Sequence, residues 1–138
     1  NNSYLIFLKN KPFVAYSGLF LEKSCFSFDY LNGDYWIPFP NPNRKVIPAS
    51  NPNFDLIIDK DMPYFVFVNN ENKVQFTFPT SDNSSWRGVG EAEELEWKIL
   101  SSNSGDFPSA VLEGGKLIVA YKKTSTSKLV IQQQSFDQ

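Results

Sequence analysis

Three tryptophans, Trp36, Trp86 and Trp97, are the side chains best suited to hold a ligand, because an indole face stacks on the apolar face of a sugar while nearby polar groups fix its hydroxyls. Asp34 and Tyr35 supply such groups beside Trp36, and Asp82, Asn83 and Arg87 supply them beside Trp86. Trp97 stands apart from both and is the strongest single candidate for ligand contact. A second constellation is acidic: Glu91, Glu93, Glu94 and Glu96 could hold a hard cation or act as paired acid and base. No glycine-punctuated calcium loop accompanies them, and a solvated helix face accounts for them better. Asp55, Asp59 and Asp61 cluster near a hairpin, where turn chemistry explains them.

What is missing narrows the chemistry further. The 138-residue chain has no histidine, which removes Ser-His-Asp and Cys-His nucleophile pairs, imidazole zinc sites and any general base that titrates unperturbed near neutrality. The lone Cys25 can form neither an intramolecular disulfide nor a thiolate metal site, and its flanks Ser24 and Phe26 read as strand, so it is expected to fill core space. No catalytic residue, metal ligand or cofactor is therefore assigned. Lys plus Arg number 13 against 15 Asp plus Glu, leaving no cationic excess to drive binding to nucleic acid or anionic membrane. No run approaches the ~18–20 apolar residues of a membrane span, and no signal peptide is visible. The sequence leaves the compartment open; Asn1-Asn2-Ser3 and Asn83-Ser84-Ser85 fit the glycosylation spacing of a secreted or cell-surface protein but arise easily by chance. A start without methionine suggests a processed or excised segment of a longer polypeptide.

The elements that must position these side chains repeat. At an offset of fifty residues, Trp36 falls on Trp86, Phe26 on Phe76, Phe28 on Phe78, Asn32-Gly33 on Asp82-Asn83 and Tyr35 on Ser85. Upstream, with one more residue of offset, Leu5-Ile6-Phe7 falls on Leu56-Ile57-Ile58, and Pro12 to Tyr16 on Pro63 to Phe67. A third copy places Ala110-Val111-Leu112-Glu113 on Leu56 to Asp59, Gly114-Gly115 on the Lys60-Asp61 turn, Leu117 to Tyr121 on the Pro12 to Tyr16 strand, and Lys128 to Ile131 on Lys73 to Phe76. Each copy reads as an antiparallel meander of β-branched and aromatic runs separated by turn residues. Alternation in Val74 to Phe78 gives one apolar and one polar face, whereas Pro63 to Val68 is apolar on both and must be covered on two sides. The third copy stops before its tryptophan strand. Residues 91–100 fit either a short helix or a strand from Glu96 to Leu100, and the proline-rich stretch from Pro38 to Pro52 reads as an extended linker.

The order Leu56-x-Ile58-Asp59, Pro12-Phe13-Val14-Ala15-Tyr16, Asn32-Gly33-Asp34-Tyr35-Trp36 and Trp86-Arg87-Gly88-Val89-Gly90 resembles the repeats of β-propeller proteins, at the kelch-like end of their repeat lengths. The Asp-Gly turn of that pattern is replaced by Asn10-Lys11 and Asp61-Met62, so those hairpins are expected to differ in shape. The Asp-box of sialidase-like propellers is matched only in part by Ser81 to Trp86, and Arg44 and Arg87 fall short of the three arginines of sialidase chemistry. The resemblance implies an all-β chain of about three four-stranded antiparallel propeller blades: blade 1 over 3–40, blade 2 over 54–90, an insertion over 91–106 and a partial blade 3 over 107–138. It implies a non-catalytic, carbohydrate- or protein-binding module whose partners are further blades, from the same polypeptide or from another copy. The recurring Trp36 and Trp86 are also explained as wedges between blades. The alternatives are a fragment of a propeller-domain glycoside hydrolase and a structural assembly subunit.

Overall fold

The computed structural model describes residues 3–20, 23–39, 47–49, 52–79 and 99–135. Among them the chain is all-β and antiparallel, with no helix. A first sheet is the meander β1 (Ser3–Leu8), β2 (Lys11–Phe20), β3 (Lys23–Asn32) and β4 (Tyr35–Pro38), with the short β5 (Ile47–Pro48) also paired to β3. A second sheet runs in the order β11-β10-β9-β8-β7-β6, from β6 (Phe54–Asp59), β7 (Met62–Val68), β8 (Lys73–Thr77), β9 (Ile99–Glu113), β10 (Lys116–Lys123) and β11 (Leu129–Ser135).

The repeat read from the sequence reappears as register. Leu5 pairs with Val14, Leu56 with Phe65 and Ala110 with Val119, at equivalent positions of three hairpins. Their turns share one geometry, because Lys9-Asn10, Lys60-Asp61 and Gly114-Gly115 all take positive φ at both central residues. That is the mirror-image turn whose twist suits a two-residue hairpin. The expectation that the first two hairpins differ in shape is overturned: each turn falls one residue earlier than Asn10-Lys11 and Asp61-Met62. The second hairpins do shift. Ala15 pairs with Phe28 and its equivalent Val66 with Phe76, so Phe28, rather than Phe26, holds the place of Phe76. The cause is the longer β2–β3 ribbon, and the shift by two residues keeps both phenylalanines on one face. In the third copy Ala120 pairs with Ile131, as the Phe76–Ile131 equivalence requires.

Three meanders stack through two cores. Phe13, Ala15, Phe26 and Phe28 of the first sheet close on Phe54, Phe65 and Phe67 of β6 and β7. Rings meet there at centroid separations of 5.0 Å between Phe26 and each of Phe54, Phe65 and Phe67, within the favourable range for aromatic pairs. The opposite face of β7 and β8, with Tyr64, Val66, Val74 and Phe76, closes on Ala110, Leu117, Val119 and Tyr121 of β9 and β10. The second sheet thus folds over on itself, and the β6–β8 meander is covered on both sides. Val74 to Phe78 keeps its alternation, but the polar side is not solvated: Gln75 and Thr77 are buried, and Gln75 Oε1 accepts from Asn69 Nδ2 at 3.0 Å.

The fold-over is made within β9, whose first part pairs with β8 and whose second part pairs with β10. Gly105 sits at the change of partner, where an added Cβ would lie 2.6 Å from Tyr121 Cδ2 and 2.9 Å from Val74 Cγ2, so only glycine lets the strand pass. Just beyond, Ala120 pairs with Ser109 and Lys122 with Asp106, leaving Phe107 and Pro108 opposite Tyr121 as a β-bulge with Phe107 at φ 52. Residues 99 and 100 are strand, which answers the helix-or-strand question for those two; residues 91–98 lie outside the described residues.

Candidate functional site

The predicted contact residues divide between the first sheet and residues outside the description. Asp82, Asn83, Trp86, Arg87 and Trp97 lie outside the described residues, as do Glu91, Glu93, Glu94 and Glu96. Tyr35 and Trp36 open β4, and Asp34 lies in the preceding turn with Gly33, which has φ 64. Tyr35 pairs with Asn32 and Trp36 with Leu31, so consecutive side chains point to opposite faces of the sheet. Tyr35 and Trp36 therefore do not form one stacking platform. Trp36 is 47% exposed on the outer face of the first sheet and does not lie between two of the described units.

That outer face is the more extensive feature. Leu5, Phe7, Val14, Leu31 and Trp36 share it, because Leu5 pairs with Val14, Val14 with Asp29, and Leu31 with Trp36. Leu5 is 70% exposed and Phe7 72%. Beside them on the same face lies a small polar group in which Tyr16 donates to Asp29 Oδ2 at 3.0 Å and Ser27 Oγ donates to Asp29 Oδ1 at 3.2 Å. Burial raises the Tyr16 phenol above its ordinary range; the bond with Ser27 opposes this, and the Asp29 charge reinforces it. Cys25 is buried beside this group, its Sγ directed at the Gly18 carbonyl at 3.6 Å, in the packing role the sequence suggests.

At the other end of the stack a second apolar face is bare. Val111 pairs with Ile118, Ala120 with Ile131 and Lys122 with Leu129, so all share the side of β9–β11 turned away from the core. Val111, Leu129 and Ile131 are exposed.

Between these ends Asp55 ties the three meanders together. It accepts from the Tyr4 hydroxyl at 3.1 Å on Oδ1, and from the Ala110 N–H at 2.9 Å and the Ser109 hydroxyl at 3.5 Å on Oδ2. Tyr4, Asp55 and Ser109 occupy the same repeat position, so the first strands of the three units converge on one line. Burial first, then the Asp55 charge and hydrogen bond, raise the Tyr4 phenol. Assigning Asp55 to turn chemistry missed this node. Its one sequence signal was that the copies place hydrogen-bonding side chains, Tyr, Asp and Ser, at a single strand position. The bare rows of Leu5, Phe7, Leu129 and Ile131 were missed because apolar residues in a repeat read as core.

Among the described residues no group of three acidic, cysteine or histidine side chains is placed to hold a metal. What the described residues offer is exposed apolar surface at both ends of the stack. Comparison with family models, with curated proteins and with solved structures finds no match.

Proposed function

We propose that the chain is a non-catalytic interaction module built of β-propeller-type units, which binds a protein partner through the outer faces of its stack. One observation carries this reading: both outer faces expose apolar side chains at repeat positions that are buried or half-buried in the interior. Leu5 and Val14 correspond to Leu56 and Phe65, and Val111 and Ile131 to Ile57 and Phe76. Contiguous exposed apolar rows mark interaction surfaces in soluble proteins. A photo-reactive side chain placed at position 7 or 131, irradiated in an extract of the source cells, is expected to give discrete protein adducts, with none from position 10 in a hairpin turn. Absence of discrete adducts at both faces would remove the reading.

Carbohydrate binding is the second reading, favoured by the half-exposed Trp36 ring. It is weaker because Tyr35 projects from the other face of the sheet. A glycan array in which Trp36→Ala abolishes every signal supports it, and an array without signal removes it.

A further inference from the structure

The three units obey one stacking rule. Each has a face that meets the unit after it and a face that meets the unit before it. Phe13, Ala15 and Phe28 of the first unit point forward onto the second, and their equivalents Tyr64, Val66 and Phe76 point forward onto the third. Phe65 and Phe67 point backward onto the first unit, and their equivalents Val119 and Tyr121 point backward onto the second. Strand pairing fixes these correspondences, since the hairpin registers are equivalent.

The rule leaves one face of each kind without cover. The third unit has a forward face of Val111, Ile118, Ala120, Leu129 and Ile131. The first has a backward face of Leu5, Phe7, Val14, Tyr16 and Trp36, with large apolar side chains exposed on both. On the forward face Lys116 lies opposite Glu113 and Lys122 opposite Asp106, so its lysines are matched by carboxylates, and Asp29 on the backward face is buried under bonds from Tyr16 and Ser27; what the two faces offer each other is apolar surface.

We infer that the two bare faces are each other's partners, the forward face of one copy of this chain seating on the backward face of a second copy. This deepens the interaction-module reading and rests on it. The occupant is a second copy because the chain itself carries the matching face. The contact is head-to-tail, so it closes only when the rotation per unit completes a circle. Three units fall below the ~4–8 at which such stacks close, and two copies supply six, so the closed species is a dimer with two equivalent interfaces.

Light scattering after size-exclusion chromatography at tens of micromolar tests this, together with two double variants, Leu5→Glu/Phe7→Glu and Leu129→Glu/Ile131→Glu. The wild-type chain is expected to show twice the 15.8 kDa chain mass. Each variant alone is expected to run as a single chain, its affinity weakened about 100-fold or more by charges in an apolar contact. An equimolar mixture regains a two-chain species through its one intact interface. Recovery on mixing is peculiar to a head-to-tail contact; a face that pairs with itself would leave one variant dimeric and yield no mixed species. Circular dichroism checks folding, and the milder Phe7→Ser and Ile131→Ser replace any variant that fails it. A monomeric wild type, or either variant dimeric alone, overturns the inference. If photo-adducts to a different protein then persist, only the copy-on-copy pairing fails; if they are absent too, the module reading fails with it.

Discussion

The central unit and the outer units share one backbone register but meet different surroundings. β7 is buried along its length from Pro63 to Val68, while β10 alternates between buried and half-exposed positions and β2 carries the exposed Tyr16. Identical hairpin geometry with unlike side chains shows that the repeat specifies strand pairing, and that composition specifies position in the stack. A layer covered on both sides has no solvated face, so the β7 segment reads as a continuous apolar run.

The sharpest way to break the comparison is to truncate equivalent positions. Phe65→Ala empties a site lined by Phe26, Phe28 and Phe54 and is expected to cost about 3–5 kcal/mol in urea unfolding. Its equivalent Val14→Ala, on the outer face, should cost less than about 1 kcal/mol. Equal losses would remove the distinction between central and outer layers. Asp55→Ala strips the node between units, leaves the Ala110 N–H and the Tyr4 hydroxyl without their acceptor, and is expected to cost about 2–3 kcal/mol. Tyr4→Phe, removing one bond of the node, should cost about 1 kcal/mol.

Alkaline titration probes the same contrast. Burial, then the Asp59 charge, pushes Tyr64 from 10.0 up to about 12. The folded state keeps that proton after the unfolded chain has lost it. The stabilisation is therefore complete below pH 10 and is lost as pH rises toward 12, on the order of 2 kcal/mol. Tyr64→Phe should flatten that decline in thermal melts recorded between pH 9 and 12, and an unchanged profile would assign it elsewhere. Gly105→Ala forces the Tyr121 ring and Val74 apart and is expected to lower stability by about 1–3 kcal/mol. The smallest effect is a gain: Phe107→Gly relieves a non-glycine residue at positive φ and should raise stability by about 0.5–1 kcal/mol.

Much of the strand framework was legible because it rests on local periodicity. The Leu5, Leu56 and Ala110 strands, the Gly114-Gly115 turn, and the need to cover Pro63 to Val68 on both sides all follow from residue order. The two-residue shift of Phe28 onto Phe76 was hidden because alternation is preserved when a strand slides by two. Continuity of β9 was hidden because its partner changes at Gly105, and a glycine inside a strand reads equally as a turn. The site was less legible still. Asp34, Tyr35 and Trp36 are neighbours in sequence, yet a strand sends adjacent side chains apart; the Asp55 node joins residues more than fifty positions distant, which no local pattern reports.

The span of β9 across both halves of the second sheet has a mechanical corollary. A molecule stretched from its carboxyl terminus should first unzip the β11 and β10 ribbon, then stall near Gly105, where the remaining strand is still stitched to β8. Beyond that arrest the rest should give way in one rupture, so the force trace would show a soft ramp followed by a single high peak.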